Sequence, residues 1–325
     1  MSRRFLPPWC PVFNSRPSYL QSMKYILFIT SLFLLACNAP KPHNALVLQT
    51  DFGTRDGAVA AMRGVARGVD ANLDVFDLTH DIPAYNIWEA AYRLHQSVSY
   101  WPKSTVFVSV VDPGVGSQRK SVVAKLKSGH FIVTPDNGTL TLLAESPGIE
   151  AVRQIDEKVN RRQGSDSSYT FHGRDVYVFT AARLAAGVIS FEEVGPAWQN
   201  TIFALPYQKA IKNGDTLSGM IPVLDIQYGN VWTNIPDSLV ALAGIRRGDT
   251  LLVDVFHQDS LVFAGKLPMA HTFADVAEGQ SLAYLNSLMN LSFAVNQGSF
   301  AEQFKVGSGN EWAVKIQKSK FKSQK

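Results

Sequence analysis

The chain has 325 residues, 46% of them hydrophobic, with two cysteines and a formal net charge of +4. Arg3, Arg4, Arg16 and Lys24 account for all of that charge, and no acid precedes residue 37, so the remainder is formally neutral. A neutral body argues against a nucleic-acid partner, and Cys10 and Cys37 both lie too early to offer the folded part a disulfide or a thiolate.

The first elements in chain order form a leader. From Met23 one lysine precedes an apolar run too short to span a bilayer, ending in Leu34-Leu35-Ala36-Cys37. This is signal-peptide architecture, and its ending looks like a bacterial lipobox with Cys37 as the lipidated residue. Met23 is the expected true start. Residues 1–43 are therefore expected to be signal and linker, placing the protein outside the cytoplasm as a membrane-anchored lipoprotein. Asn38 in place of a retention aspartate favours the periplasmic side of the outer membrane.

Between 44 and 208 strand and helix patterns alternate. LVLQT runs into Asp51-Phe-Gly, and Leu73–Leu78 leads to Thr79-His80-Asp81. FVSVV runs into Asp112-Pro-Gly-Val-Gly, and FIVT runs into Pro135-Asp136-Asn137-Gly138. Helices are expected over Gly57–Val69 behind Asp56, over Ile87–Val98, and over Asp175–Ala186 closed by Gly187. The polar stretch Gln154–Ser168 reads as an exposed loop. Apolar strands alternating with amphipathic helices predict a Rossmann-like α/β domain with a mostly parallel sheet. In such sheets ligands sit beyond the carboxyl ends of the strands, so three acidic turns at strand ends describe one polar site. Asp-Gly and Pro-Asp-Asn-Gly are also ordinary turn formers, and each alone is better explained that way.

From about residue 211 short β-type runs with intervening turns predict a smaller antiparallel domain, a β-barrel or a sandwich, over 209–318. A basic tail, 319–325, ends the chain; five lysines and no acid lie between Lys315 and Lys325. Two further constellations carry polar chemistry. One is Thr170-Phe-His172-Gly-Arg-Asp175 at a helix start, where the dipole lowers a histidine's pKa. The other is Asp225-Ile-Gln-Tyr228-Gly-Asn230-Val-Trp-Thr-Asn234, suited to ribose or amino-acid recognition or to a plain turn. No dinucleotide fingerprint, phosphate loop, nucleophile elbow or metal-ligand spacing is present, which removes the main support for dehydrogenase, kinase and serine-hydrolase activities.

Taken in order, TDFG, DLTH, WPKSTV, VVDPGVG with Arg119, PDNG, TFHGRD and Asp225…YGN…TN span about residues 46–300. This series resembles the S-adenosyl-L-methionine hydrolases (hydroxide adenosyltransferases), relatives of the fluorinases and chlorinases. The resemblance implies S-adenosyl-L-methionine as substrate, adenosine and L-methionine as products, no cofactor or metal, and a homotrimer with sites between subunits. It implies that Asp112, Arg119 and His172 are catalytic and that Asp51 binds ribose. Asp225 and Asn230 fall at the methionine end, with Tyr228 at an aromatic position; Asn286 and Ser287 fall on the adenine side. Asp136 and Asn137 join the substrate-binding set as the third strand-end turn. The chain departs from the family pattern at Leu288-Met289, where an aromatic-glycine pair is usual, and lacks the Gly-Asp before the last strand. Halogenating relatives lack the Asp–Arg–His set. A halide-using transferase, or a lipid-anchored protein that binds adenosyl compounds without turnover, are the competing readings.

Overall fold

The computed structural model describes residues 43–199 and 201–320. The leader, Cys37 and most of the basic tail lie outside the described residues. Six strands form the first sheet: β1 (Leu46–Thr50), β2 (Val75–Thr79), β3 (Val106–Val110), β4 (Ser121–Leu126), β5 (Phe131–Pro135) and β6 (Ile149–Gln154), in the order β2-β1-β3-β5-β4-β6. β1 runs parallel to β2 and β3, and β3 parallel to β5, while β4 is antiparallel to both β5 and β6. Every residue of β1 and β3 is buried, as expected of central strands covered on both faces.

Alternation along these strands sends side chains to two separate cores. Leu46, Leu48, Val106 and Val108 pack with Met62 and Ala66 of α1 (Ala58–Val69) and Ala181 of α3 (Val178–Ala185). Val47 and Phe107 face the other way, against Leu94 of α2 (Ile87–Ser97). The helices begin where local chemistry allows: Asp56 accepts the Ala58 N–H, and Asn86 accepts that of Glu89 at the start of α2. Ahead of α3, Gly173–Tyr177 forms a wider, π-type turn instead of the regular helix expected from Asp175. This is a local widening at a motif rich in polar groups.

Downstream, the described residues form two antiparallel sheets and no closed barrel. One has the order β13-β14-β10-β9 (Ser281–Leu285, Asn290–Val295, Asn230–Pro236, Val223–Asp225). The other is β12-β11-β15-β8-β7 (Ser260–Pro268, Thr250–His257, Gly309–Lys318, Thr216–Ile221, Ile211–Asn213). They share one core, in which Leu217, Val253 and Val314 meet Val231 and Phe293. Where β8 nears β10, the Met220 N–H donates to the Asn234 side chain, so a side chain stands where barrel closure would need a backbone ladder. Trp88 and Arg93 of α2 donate to the carbonyls of Pro222 and Leu224 at 2.9 and 3.0 Å. The described residues accordingly cluster as one compact unit. Among the described residues no helix is long and apolar enough to cross a membrane.

Candidate active site

Because β1, β3 and β5 are parallel neighbours, the turns that follow them emerge at one edge of the sheet. Asp51, Asp112 and His172 line a single cavity there of about 250 Å³, together with Phe52, Tyr85 and Val115. Asp51 is oriented by the Tyr85 N–H, 2.9 Å from Oδ2. Gly173 lets His172 come this close: a Cβ at that position would meet the Phe52 ring at 3.2 Å and the Phe171 ring at 3.3 Å. Two residues on, Asp175 is fully buried and held by Arg162 and Arg174 at 2.8 and 2.7 Å. Burial opposes its charge, but the arginine hydrogen bonds win and hold its carboxyl below the usual range.

The reacting end is a network around Asp112. Its Oδ2 is ion-paired to Arg119, and the two side chains are only 5% and 11% exposed. Arg119 Nη1 also donates to the Tyr177 hydroxyl at 2.5 Å, which lies 3.4 Å from Asp112 Oδ2. Burial raises the Asp112 pKa, against the charges of Arg119 and His172 and the hydrogen bonds from Tyr177 and the Gly114 N–H. The His172 pKa is lowered, by burial first and by the charges of Arg161 and Arg119, with Glu157 and Asp112 opposing. Asp112 Oδ1, Arg119 Nε and His172 Nδ1 are all buried without a protein partner. Buried polar atoms without partners are costly, so three in one network mark a place built for a ligand or water.

A second cavity, of about 900 Å³, is lined by Asp225, Tyr228, Asn230, Asn286 and Ser287. Asn230 Nδ2 donates to Asp225 Oδ2 at 3.1 Å. Gly229, with φ +65°, admits Ser299, whose Cβ would lie 2.7 Å from any Cβ added there. Asn286 accepts from Leu288 N and Asn290 N, leaving its own Nδ2 buried and unpartnered. Leu288 packs with Trp88, Tyr92 and Trp232, while Met289 is half exposed in a left-handed conformation at φ +60°. The departure from the family pattern thus puts one side chain into the core and the other into solvent.

Not every expected residue joins these cavities. Asp136 and Asn137 line neither of them. Asp136 Oδ1 accepts from Phe203 N, and Asn137 bridges Val111 O and Thr139, so these bonds tie their turn to the segment at Phe203 and to the end of the strand before Asp112. Gln154–Ser168 is not a plain exposed loop either, since Asn160 and Ser165 are buried and Arg161 reaches His172. Tyr177 and Arg161 were not legible as site residues. The only sequence signal for Tyr177 is its place two residues after the TFHGRD motif, and Arg161 carries none.

Residues 46–195 match the SAM hydroxide adenosyltransferase N-terminal domain, and 219–313 match the C-terminal domain of the same family. The chain is 34% identical to the (R)-S-adenosyl-L-methionine hydrolase of Salinispora tropica, an alignment covering 85% of this chain and 98% of that one. Identity to the hydrolase of the same name from Thermus thermophilus is 33%, over 80% and 95%. A fluorinase of Actinopolyspora mzabensis is 27% identical, over 81% and 94%. Among solved structures, an uncharacterized conserved protein from Thermotoga maritima superposes with a TM-score of 0.76 at 31% identity, over 83% of this chain and 99% of that one. By its matching domains and relatives, the chain belongs to the SAM hydroxide adenosyltransferase family.

Proposed function

We propose that this protein hydrolyses S-adenosyl-L-methionine (SAM) to adenosine and L-methionine, by in-line attack of water on the ribose 5′ carbon. The observation that carries this reading is the pair of buried, unpartnered atoms Asp112 Oδ1 and His172 Nδ1 at one cavity. One is an acceptor and the other a possible donor, which is what a single bound water requires.

Attack at a sulfonium needs no help at the leaving group: the C5′–S bond breaks and its electron pair departs on a neutral thioether. The difficulty lies with the nucleophile, since bulk water has a pKa near 15.7. Asp112 takes the proton as the O–C5′ bond forms, and a carboxyl raised by burial is the stronger base. Arg119 and His172, both largely buried beside it, stabilise the hydroxide-like charge. Asp51 holds the ribose, Asp225, Tyr228 and Asn230 the methionine end, and Asn286 and Ser287 the adenine side. Halide transfer, the activity named for the fluorinase relatives, fits less well, because an unpartnered buried carboxylate oxygen repels an anion but accepts a proton from water.

Asp51 and Asp225 line different cavities of the chain, and aromatic side chains near both are exposed: Tyr85 at 72% and Tyr228 at 67%. We read each cavity as half of a site, completed by a neighbouring chain in a homotrimer, with residues 44–208 supplying one half and 209–318 the other. Lipid on Cys37 would hold this assembly at the periplasmic side of the outer membrane.

Incubating SAM with purified protein that begins at Asn38, with and without chloride and fluoride, is the direct test. Chromatography is expected to show adenosine and methionine in equal amounts in every buffer. A 5′-haloadenosine would support the transferase instead, and SAM retained without turnover would support a binding protein.

A further inference from the structure

The loop that precedes the histidine motif is built with more precision than its polar sequence suggests. Asn160 is buried: its Nδ2 donates to Val194 O at 2.9 Å, its Oδ1 accepts from Arg183 at 2.7 Å, and its carbonyl accepts from Thr180 at 3.1 Å. On the other side, Arg162 donates its N–H to Asp175 O and its Nε to Asp175 Oδ1, each at 2.8 Å. The residue between these two anchors, Arg161, has its backbone held on both sides, and its side chain is 5% exposed. Its Nη2 lies 2.6 Å from Glu157 Oε2 and 3.1 Å from His172 Nε2, and its guanidinium sits over the Tyr169 ring, 4.6 Å from the centroid.

An arginine can only donate, so this contact decides where the histidine proton is. His172 Nε2 must be the acceptor, which places the ring proton on Nδ1. That nitrogen is the buried, unpartnered one. The charge on Arg161 is offset on one side only, since its Nη1 is buried without a partner, so it also disfavours a second positive charge on the imidazole beside it.

We propose that Arg161, held by Glu157 and Tyr169, is a positioning residue: it fixes His172 as the neutral imidazole with its proton on Nδ1, facing the nucleophilic water that Asp112 deprotonates. This rests on the hydrolytic reading above and adds to it the residue that sets the histidine's chemical form. Without Arg161 the ring is free to carry its proton on Nε2. Nδ1 then presents a lone pair to the same water as Asp112 Oδ1, leaving Arg119 as its donor in this network. His172 would polarise nothing in that state.

Imidazole ¹⁵N shifts of histidine-labelled protein, assigned by comparison with His172→Gln, read the tautomer without substrate. The expected result is a protonated Nδ1 in the parent protein and a mixture with protonated Nε2 in Arg161→Met. In turnover, Arg161→Met is expected to lower kcat at least about 10-fold, the lower end of what partners orienting metal-bound imidazoles contribute, with KM changed less than about 3-fold. Arg161→Lys, which keeps a charged donor, is expected to recover most of the loss. The groups facing His172 are Glu157, Arg161 and Tyr169 from the loop, Asp112 and Arg119 from the strand-end turn, and Tyr177 from the π-turn. Removing the Arg161 charge raises the His172 pKa, so imidazolium persists to higher pH. The pH at which the His172 ¹⁵N signals report imidazolium should therefore move upward in Arg161→Met, a shift that a purely structural role would not produce.

A protonated Nε2 in the parent protein would overturn the proposal, and needs no variant that might misfold. Parent-like kcat and an unchanged pH of imidazolium formation at His172 in a folded Arg161→Met would overturn it as well. If the parent releases no adenosine, hydrolysis fails as a reading, while the nitrogen shifts still report whether Arg161 sets the tautomer.

Discussion

Asp112→Asn is expected to lower kcat by a factor of at least about 100, with KM within a few-fold of the parent, the pattern for a base that acts only on the nucleophile. The substitution is close to isosteric. It keeps an oxygen for Arg119 and Tyr177, which now hold Oδ2, and it removes the proton acceptor at Oδ1. Burial has already raised the Asp112 pKa, so the wild-type profile should lose activity as pH falls through that raised value and the carboxyl is protonated. The asparagine variant should lack that acid limb. Arg119 and His172 belong to the same network, so Arg119→Ala and His172→Ala should combine with Asp112→Asn non-additively. Parent-like turnover by Asp112→Asn would assign the base to another group.

Two inactive variants should restore each other if each site is shared between chains. Asp112→Asn damages the smaller cavity and Asn230→Ala the larger, where it removes the 3.1 Å hydrogen bond that orients Asp225. Each alone is expected to be nearly inactive. In a three-fold ring with head-to-tail interfaces, unfolding the two together and co-refolding them forms some interfaces with both intact halves. Activity should then reappear well above either parent variant. In sites built within one chain every site keeps its defect, and a mixture proved by mass to have exchanged subunits would stay inactive.

Much of the first half was legible because its signals are local. LVLQT and FVSVV are apolar throughout, and strands buried on both faces need that pattern. Their parallel pairing follows from the intervening helices and carries Asp51 and Asp112 to one edge. What stayed hidden depends on distant parts of the chain. The strand at Ser121–Leu126 is antiparallel to its neighbours, which its composition does not encode. Whether two antiparallel sheets close into a barrel is settled by contacts such as Asn234 to Met220, not by strand pattern. Asp136 and Asn137 look the same in sequence as the other acidic turns, yet bond to Phe203 N and Val111 O and line neither cavity. Arg161 has no periodic or motif signal, because its place over His172 is fixed by Asn160 and Arg162 gripping α3 and the π-turn before it.

The central claim is that water attacks the ribose 5′ carbon, and hydrolysis of SAM in ¹⁸O-enriched water measures this most directly. Mass spectrometry should find one ¹⁸O in adenosine, at the 5′ hydroxyl, and none in methionine. An unlabelled adenosine, or products such as methylthioadenosine with a homoserine-derived fragment, would show that a different bond breaks and would contradict activation of water by Asp112, Arg119 and His172.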